Sequence, residues 1–290
     1  MEVMLANPGR LPRFLLIVAA ALSMSALVGC RTSALQESLG ILNHRAILIS
    51  FLEKHSDLGN SPAAEAVFFD FDHTLADTQT TIPVDTESGT EQRDSKCFFL
   101  RTGERPHFEA LSPEELARTR PIESMVQIAR QLEARGDLLF IVTARGESHT
   151  WNTIPLWLKK NGIKINGLVA ANAKETVDGL KPLSRDTKLP HDFKKALIIA
   201  GWIELIQSKF PESPLKSVSY YEDTDHHLRG AMQLLPLAFP DIEFHFYDIL
   251  RTQRSPGKYR LTPIANASHG TLDLPGDPAH YASPDCPDED

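Results

Sequence analysis

Two carboxylates spaced two residues apart, Asp70 and Asp72, follow the apolar run Val67-Phe68-Phe69 and precede Thr74 and Leu75. A short apolar run bounded by polar residues predicts a buried strand of a mostly parallel sheet, with the acids where that strand stops. An α/β sheet keeps its site in the crevice outside such strand ends. Two acids so placed can hold a hard cation and leave one oxygen to attack, which suits phosphoryl chemistry. Alone, the same spacing also fits a surface turn with two solvated aspartates. Two later stretches have the same form. LLFIVTARGE carries Thr143 after an apolar strand, with Arg145 just beyond it, and SVSYYEDTDHHL carries Glu222 and Asp223 after another.

These acids need strands to aim them and helices to cover the strands. Pro121 opens a helix with Ile122, Met125, Ile128, Ala129 and Leu132 at helical spacing, which stops near Gly136. Residues 138–142 read as the next buried strand. Residues 148–160 read helical, with Pro155 marking either a start or a kink. A weaker strand at 167–171, a helix over 192–209, a strand at 218–221, a helix over 225–235 and a strand at 242–247 complete the alternation. Strands alternating with helices predict a three-layer α/β/α sandwich around a mostly parallel, Rossmann-like sheet. The stretch 79–120 is too long for a plain βα loop and forms an insert, with a polar stretch at 85–96, a strand at 97–101 and a helix start at 112–115.

The chain has 290 residues and a formal net charge of −8, which suits one medium domain with extensions. Residues 1–30 form one extension. Arg10 and Arg13 precede an uncharged apolar run over 14–28, the pattern of a secretory signal. Its end, Leu27-Val28-Gly29-Cys30, resembles the lipobox of bacterial lipoproteins, which implies lipid on Cys30 and an exported protein on a bacterial membrane, facing the periplasm or the exterior. An uncleaved N-terminal anchor is the alternative. Residues 31–62 hold an amphipathic helix, with Leu35, Leu39, Leu42, Ile49 and Leu52 on one face, and a linker ended by Gly59, Asn60 and Pro62. Residues 261–290 are Pro-, Asp- and Ser-rich with six acids and no Lys or Arg, and predict a disordered tail. That tail holds most of the net negative charge, so the domain at 63–260 is close to neutral. It lacks the basic stripe that nucleic-acid affinity needs. Cys97 and Cys286 are too far apart in sequence to be read as a bridge.

Together, VFFDFDHTLADT, LLFIVTARGE and SVSYYEDTDHHL resemble the ordered motifs of the haloacid dehalogenase-like superfamily, over roughly 64–247. One departure is His73, where many members carry Gly. The resemblance implies a phosphatase in which Asp70 is the nucleophile that forms an aspartyl-phosphate. Asp72 would be the general acid and base, and Thr143 would hydrogen-bond a phosphoryl oxygen. It also implies Mg²⁺ held by Asp70, the main-chain carbonyl of Asp72 and Asp223, with Glu222 or Asp225 acting through water. Thr74 and Arg145 are candidates for substrate contact, although Arg145 fits pairing with a surface acid equally well. The family needs a lysine beside the nucleophile, and Lys194 is the expected one because it opens the helix leading to the third strand. Lys195 is its alternative. The insert would be a flap or small cap too small to select compact metabolites, leaving an open site for a small nucleotide or sugar phosphate. Two other readings stay open: an end-healing phosphatase of the RNA-repair-like branch, and a lipoprotein that kept the fold as a binding module.

Overall fold

The computed structural model describes residues 47–60, 62–78, 81–94, 103–106, 116, 119–174, 176, 180, 193–250 and 266–273. Cys30 with the whole leader, the expected strand at 97–101 and the helix start at 112–115 lie outside these residues. So does the N-terminal helix before residue 47.

The described chain opens with helix α1 at 47–54. It continues through β1 (Glu65–Phe69), β2 (Ala76–Asp77), β3 (Thr81–Thr86), β4 (Gly89–Asp94), β5 (Arg105–Pro106) and β6 (Arg120–Pro121). Helix α2 (Glu123–Arg135), β7 (Leu138–Thr143), α3 (Glu147–Lys160) and β8 (Gly167–Ala170) follow. The chain then forms α4 (Lys194–Lys209), β9 (Ser217–Glu222), α5 (Asp225–Ala238), β10 (Glu243–Leu250) and β11 (Ala267–Asp273). The six-stranded sheet has the order β11-β10-β9-β1-β7-β8, and neighbouring strands pair parallel throughout.

Strand parity builds the two faces of this sheet, because successive side chains point to opposite sides. Ala66 and Phe68 of β1, Leu138, Phe140 and Val142 of β7, and Val218 and Tyr220 of β9 join one core. Leu48 and Leu52 of α1, Trp202 of α4 and Leu235 of α5 cover it. Val67 and Phe69, Leu139 and Ile141, and Tyr221 join the other, under Met125 and Val126 of α2 and Trp157 and Leu158 of α3. A strand buried on both faces must be apolar at every position, which is why β7 reads LLFIVT and is buried throughout. Pro155 lies inside α3, which is continuous from Glu147 to Lys160.

The chain order creates a switch point beside β1. From β1 the sheet grows through β7 and β8 on one side, then returns to place β9 on the other. Phe69 pairs with Ile141 on one neighbour and Tyr221 on the other, so three strand ends converge there. Crevices of this kind are where α/β sheets bind ligands.

Two sequence expectations change here. The polar stretch at 85–96 includes hairpin strand: β3 and β4 pair antiparallel, and β5 adds beside β3. Ile82 and Val84 of β3 are buried, and cross-strand polar contacts add to that support, with Thr90 Oγ1 donating to Asp85 at 2.8 Å and Arg93 forking onto Glu104 at 2.7 and 2.6 Å. Gly89 turns the hairpin at φ 127°, a conformation open to glycine. The second change is in the expected disordered tail, whose residues 267–273 form β11 on the sheet edge, paired with β10 over seven positions. Main-chain pairing holds that strand, so its polar sequence is no obstacle.

Candidate active site

β1 stops at Phe69, and the two acids stand in the loop that follows. The Asp70 N–H donates to the Tyr221 carbonyl at 2.9 Å, the last rung of the ladder with β9. The chain then folds tightly: the N–H groups of Leu75 and Ala76 both donate to Phe71 O at 3.0 Å, and that of His73 donates to Ala76 O at 2.8 Å. His73 sits at φ 59°, in the left-handed region that disfavours most side chains. Glycine would take this backbone without strain, and the effect of His73 on the backbone is confined to the turn. Strand alternation is therefore not what brings Asp70 and Asp72 together, as the loop does it.

Asp70 lies on a buried floor. Lys195 Nζ donates to Asp70 Oδ1 and to Glu222 Oε2, both at 2.7 Å, and its side chain is 1% exposed. Here the structure corrects the expected lysine. Lys194 instead donates to Asn172 Oδ1 at 3.2 Å, and Lys195 is the lysine that meets Asp70. Burial would push the Lys195 ammonium down, but the Asp70 and Glu222 carboxylates hold it above the ordinary lysine range. Burial also raises the Asp70 carboxyl; Lys195 opposes the rise, while Glu222, Asp223 and Asp72 add to it, leaving Asp70 well above its usual value.

Glu222 is completely buried, and its two oxygens are spoken for. Oε2 takes Lys195 and the Tyr220 hydroxyl, and Oε1 accepts the Thr224 N–H at 3.1 Å. Burial, with Glu222 and Asp70 nearby, keeps the Tyr220 phenol protonated and so a donor. Glu222 thus holds Lys195, and it also stands in the acidic group that could hold a metal ion. Asp225 opens α5, with Thr224 at its N-cap.

Asp72 occupies the outer half of the site. Arg145 forks onto it, Nε to Oδ2 at 2.8 Å and Nη2 to Oδ1 at 2.7 Å, and Thr78 Oγ1 donates to Oδ1 at 2.6 Å. The sequence left Arg145 between a substrate and a surface acid; its partner is Asp72, and Arg145 itself is 4% exposed. Burial raises the Asp72 carboxyl, but the charge and hydrogen bonds of Arg145, with Thr78 and His73, outweigh it and lower the group to about 2. A carboxyl lowered on folding contributes stability present above its unfolded pKa and lost as pH falls through the folded value. Wild-type protein should therefore exceed Asp72→Asn in stability at about pH 5, and the gap should shrink toward about pH 3 in denaturant titrations. An unchanged gap would mean that the fork adds nothing.

Thr143 ends β7 fully buried, and its hydroxyl accepts the Arg145 N–H at 3.2 Å. Thr74 Oγ1 is buried with no hydrogen-bond partner among the described residues. A ligand oxygen would satisfy it. Asp70, Glu222 and Asp223 offer carboxylate oxygens all within 4.8 Å of one another, a group that could hold a metal ion. An all-oxygen set facing one lysine suits a hard divalent ion.

Sequence reasoning missed Tyr220, Thr78 and Asn172. Tyr220 lies two residues before Glu222 and so shares its face of β9, a signal the alternation does contain. Thr78 and Asn172 carry no comparable signal. No protein-family model and no curated protein matches this chain.

Proposed function

We propose that this chain is a Mg²⁺-dependent phosphatase of the haloacid dehalogenase-like type, hydrolysing small phosphate monoesters through an aspartyl-phosphate on Asp70. The observation that carries this reading is Asp70 itself: a buried carboxylate at a three-strand switch point, gripped through one oxygen by a buried lysine. Such a group is aimed, stripped of water and partly neutralised, which is what an attacking carboxylate needs.

In the first half-reaction an Asp70 oxygen would attack phosphorus, and the bond to the ester oxygen would break. That leaving oxygen takes a proton, and Asp72 is the group placed to give it. In the second half, water attacks the aspartyl-phosphate, Asp72 accepts its proton, and phosphate leaves with the Asp70 carboxylate restored. With Arg145 forked onto it, Asp72 is ionised, the form that the second half uses. For the first half Asp72 must first take up a proton from solvent or from the phosphate monoanion as Arg145 loosens its hold, and the phosphoryl oxygens are competing acceptors for the same guanidinium. Thr74 and Thr143 supply hydroxyls beside the two acids. Lys195 balances charge at Asp70 throughout, and Tyr220 and Glu222 position it. Mg²⁺, held by Asp70 and Asp223 with the main-chain carbonyl of Asp72, would supply charge neutralisation of the phosphoryl group.

The hairpin β3–β4 with β5 leaves the chain directly after the acid loop, where a flap over the site belongs. Its small size favours an open site and a nucleotide or sugar phosphate class of substrate. Export and lipid anchoring through Cys30 are proposed on the leader sequence. No helix among the described residues is long and apolar enough to cross a membrane.

The test is a screen of phosphate monoesters with purified protein, with added Mg²⁺ and after chelation. Hydrolysis that chelation removes and Mg²⁺ restores is expected. A protein inert on every ester, or equally active after chelation, overturns the reading.

A further inference from the structure

Helix α4 begins with two lysines and has no acid in its first turn, and its N-cap, Phe193, makes no side-chain cap. Cations at the positive end of a helix are unfavourable unless something else compensates them. Lys195 is compensated by Asp70 and Glu222. Among the described residues no carboxylate compensates Lys194 in that way. Among the described residues its ammonium makes one hydrogen bond, to the neutral amide oxygen of Asn172 at 3.2 Å. Half-burial pushes it below the ordinary lysine range, and burial is the only cause of that shift.

Asn172 ties this ammonium to the candidate site. Its Nδ2 donates to the Ala144 carbonyl at 2.6 Å, and Ala144 stands between Thr143 and Arg145. The lysine is thus fastened to the loop that closes one wall of the crevice. Neighbouring helix positions point about 100° apart. Lys195 goes to the floor at Asp70 while Lys194 goes to the wall at Asn172. An ammonium has three donors, and one amide oxygen occupies one of them.

Resting on the phosphatase reading, we infer that Lys194 binds a second anionic group of the substrate, so that the preferred ester carries a further phosphate or a carboxylate beside the phosphoryl that is transferred. An anion there satisfies the remaining donors and supplies the counter-charge that the helix end withholds. Lys194 is then a specificity-determining residue, distinct in role from Lys195.

The experiment compares wild type, Lys194→Met and Lys194→Arg on p-nitrophenyl phosphate, a nucleoside 3′,5′-bisphosphate and 3-phosphoglycerate. Expected is a wild-type preference, by kcat/KM, for at least one doubly anionic ester over p-nitrophenyl phosphate. Lys194→Met should lower that preference about 10- to 100-fold, the span of a charge-assisted hydrogen bond, chiefly through KM, and Lys194→Arg should restore most of it. Loss confined to the bisphosphate identifies a phosphate as the second group, and loss confined to phosphoglycerate identifies a carboxylate. An active wild type with no such preference, or a Met variant that loses activity equally on all three esters, overturns the assignment and leaves the phosphatase reading standing. A wild type inert on all esters overturns both.

Discussion

Asp70→Asn is expected to reduce phosphate-ester turnover by roughly 10⁴- to 10⁶-fold, the scale on which removing a covalent nucleophile acts. The fold should survive the change, and charge explains why. Lys195 faces two buried carboxylates, Asp70 and Glu222, at 2.7 Å each. An amide at position 70 keeps the shape and leaves Lys195 and Glu222 as a balanced pair. The Asp70 carboxyl is raised well above its usual value by burial and by Glu222, Asp223 and Asp72, against the pull of Lys195. An acid raised on folding contributes stability that is present below its unfolded pKa and lost as pH rises through the folded value. At neutral pH and in chelator, Asp70→Asn should therefore be at least as stable as wild type in denaturant titrations, with the advantage narrowing as pH falls toward about 4. Wild-type turnover in this variant would remove Asp70 from the mechanism. A large loss of stability would show that the charge balance has been misjudged.

Lys195→Met should fail in the opposite manner, losing stability and activity together. Methionine fills much the same volume, but it leaves Asp70 and Glu222 facing each other in the interior without a cation. Breaking a buried pair by removing one partner is destabilising by about 3–5 kcal/mol. Because the Lys195 ammonium is held above the ordinary lysine range, its contribution is fully present below the unfolded lysine pKa and is lost only as pH rises through the folded value. The loss should thus be complete at neutral pH. Turnover should fall on the order of 10³-fold, the scale for one group that stabilises transition-state charge. The same substitution at Lys194 should leave stability much closer to wild type, since Asn172 is a neutral partner. Similar stability losses for the two variants would contradict the correction from Lys194 to Lys195.

The alternation of core strands and helices, and the place of the acids in it, were legible in the sequence. Val67-Phe68-Phe69 and 138–142 are apolar at every position and 218–221 departs from this at Ser219, a pattern that is legible because a strand buried on both faces leaves little polar alternation. The residues that follow such runs must stand at strand ends, so Asp70, Asp72, Thr143, Glu222 and Asp223 could be grouped without knowing any distance.

Which neighbour each of them meets was decided only by the tertiary structure. Lys194 and Lys195 could not be told apart because α4 is buried at every position from Lys195 to Ile206, leaving no amphipathic phase to show which way the helix faces. Arg145 reaches Asp72 across 73 residues, a pairing set by the closure of β7 against β1 and by nothing local. The edge strand β11 escaped notice because its composition is that of a tail; main-chain bonds to β10 hold it there, and composition does not record them. Local physics therefore located the candidate site, while the packing of α4 and the β7–β1 pairing assigned its partners.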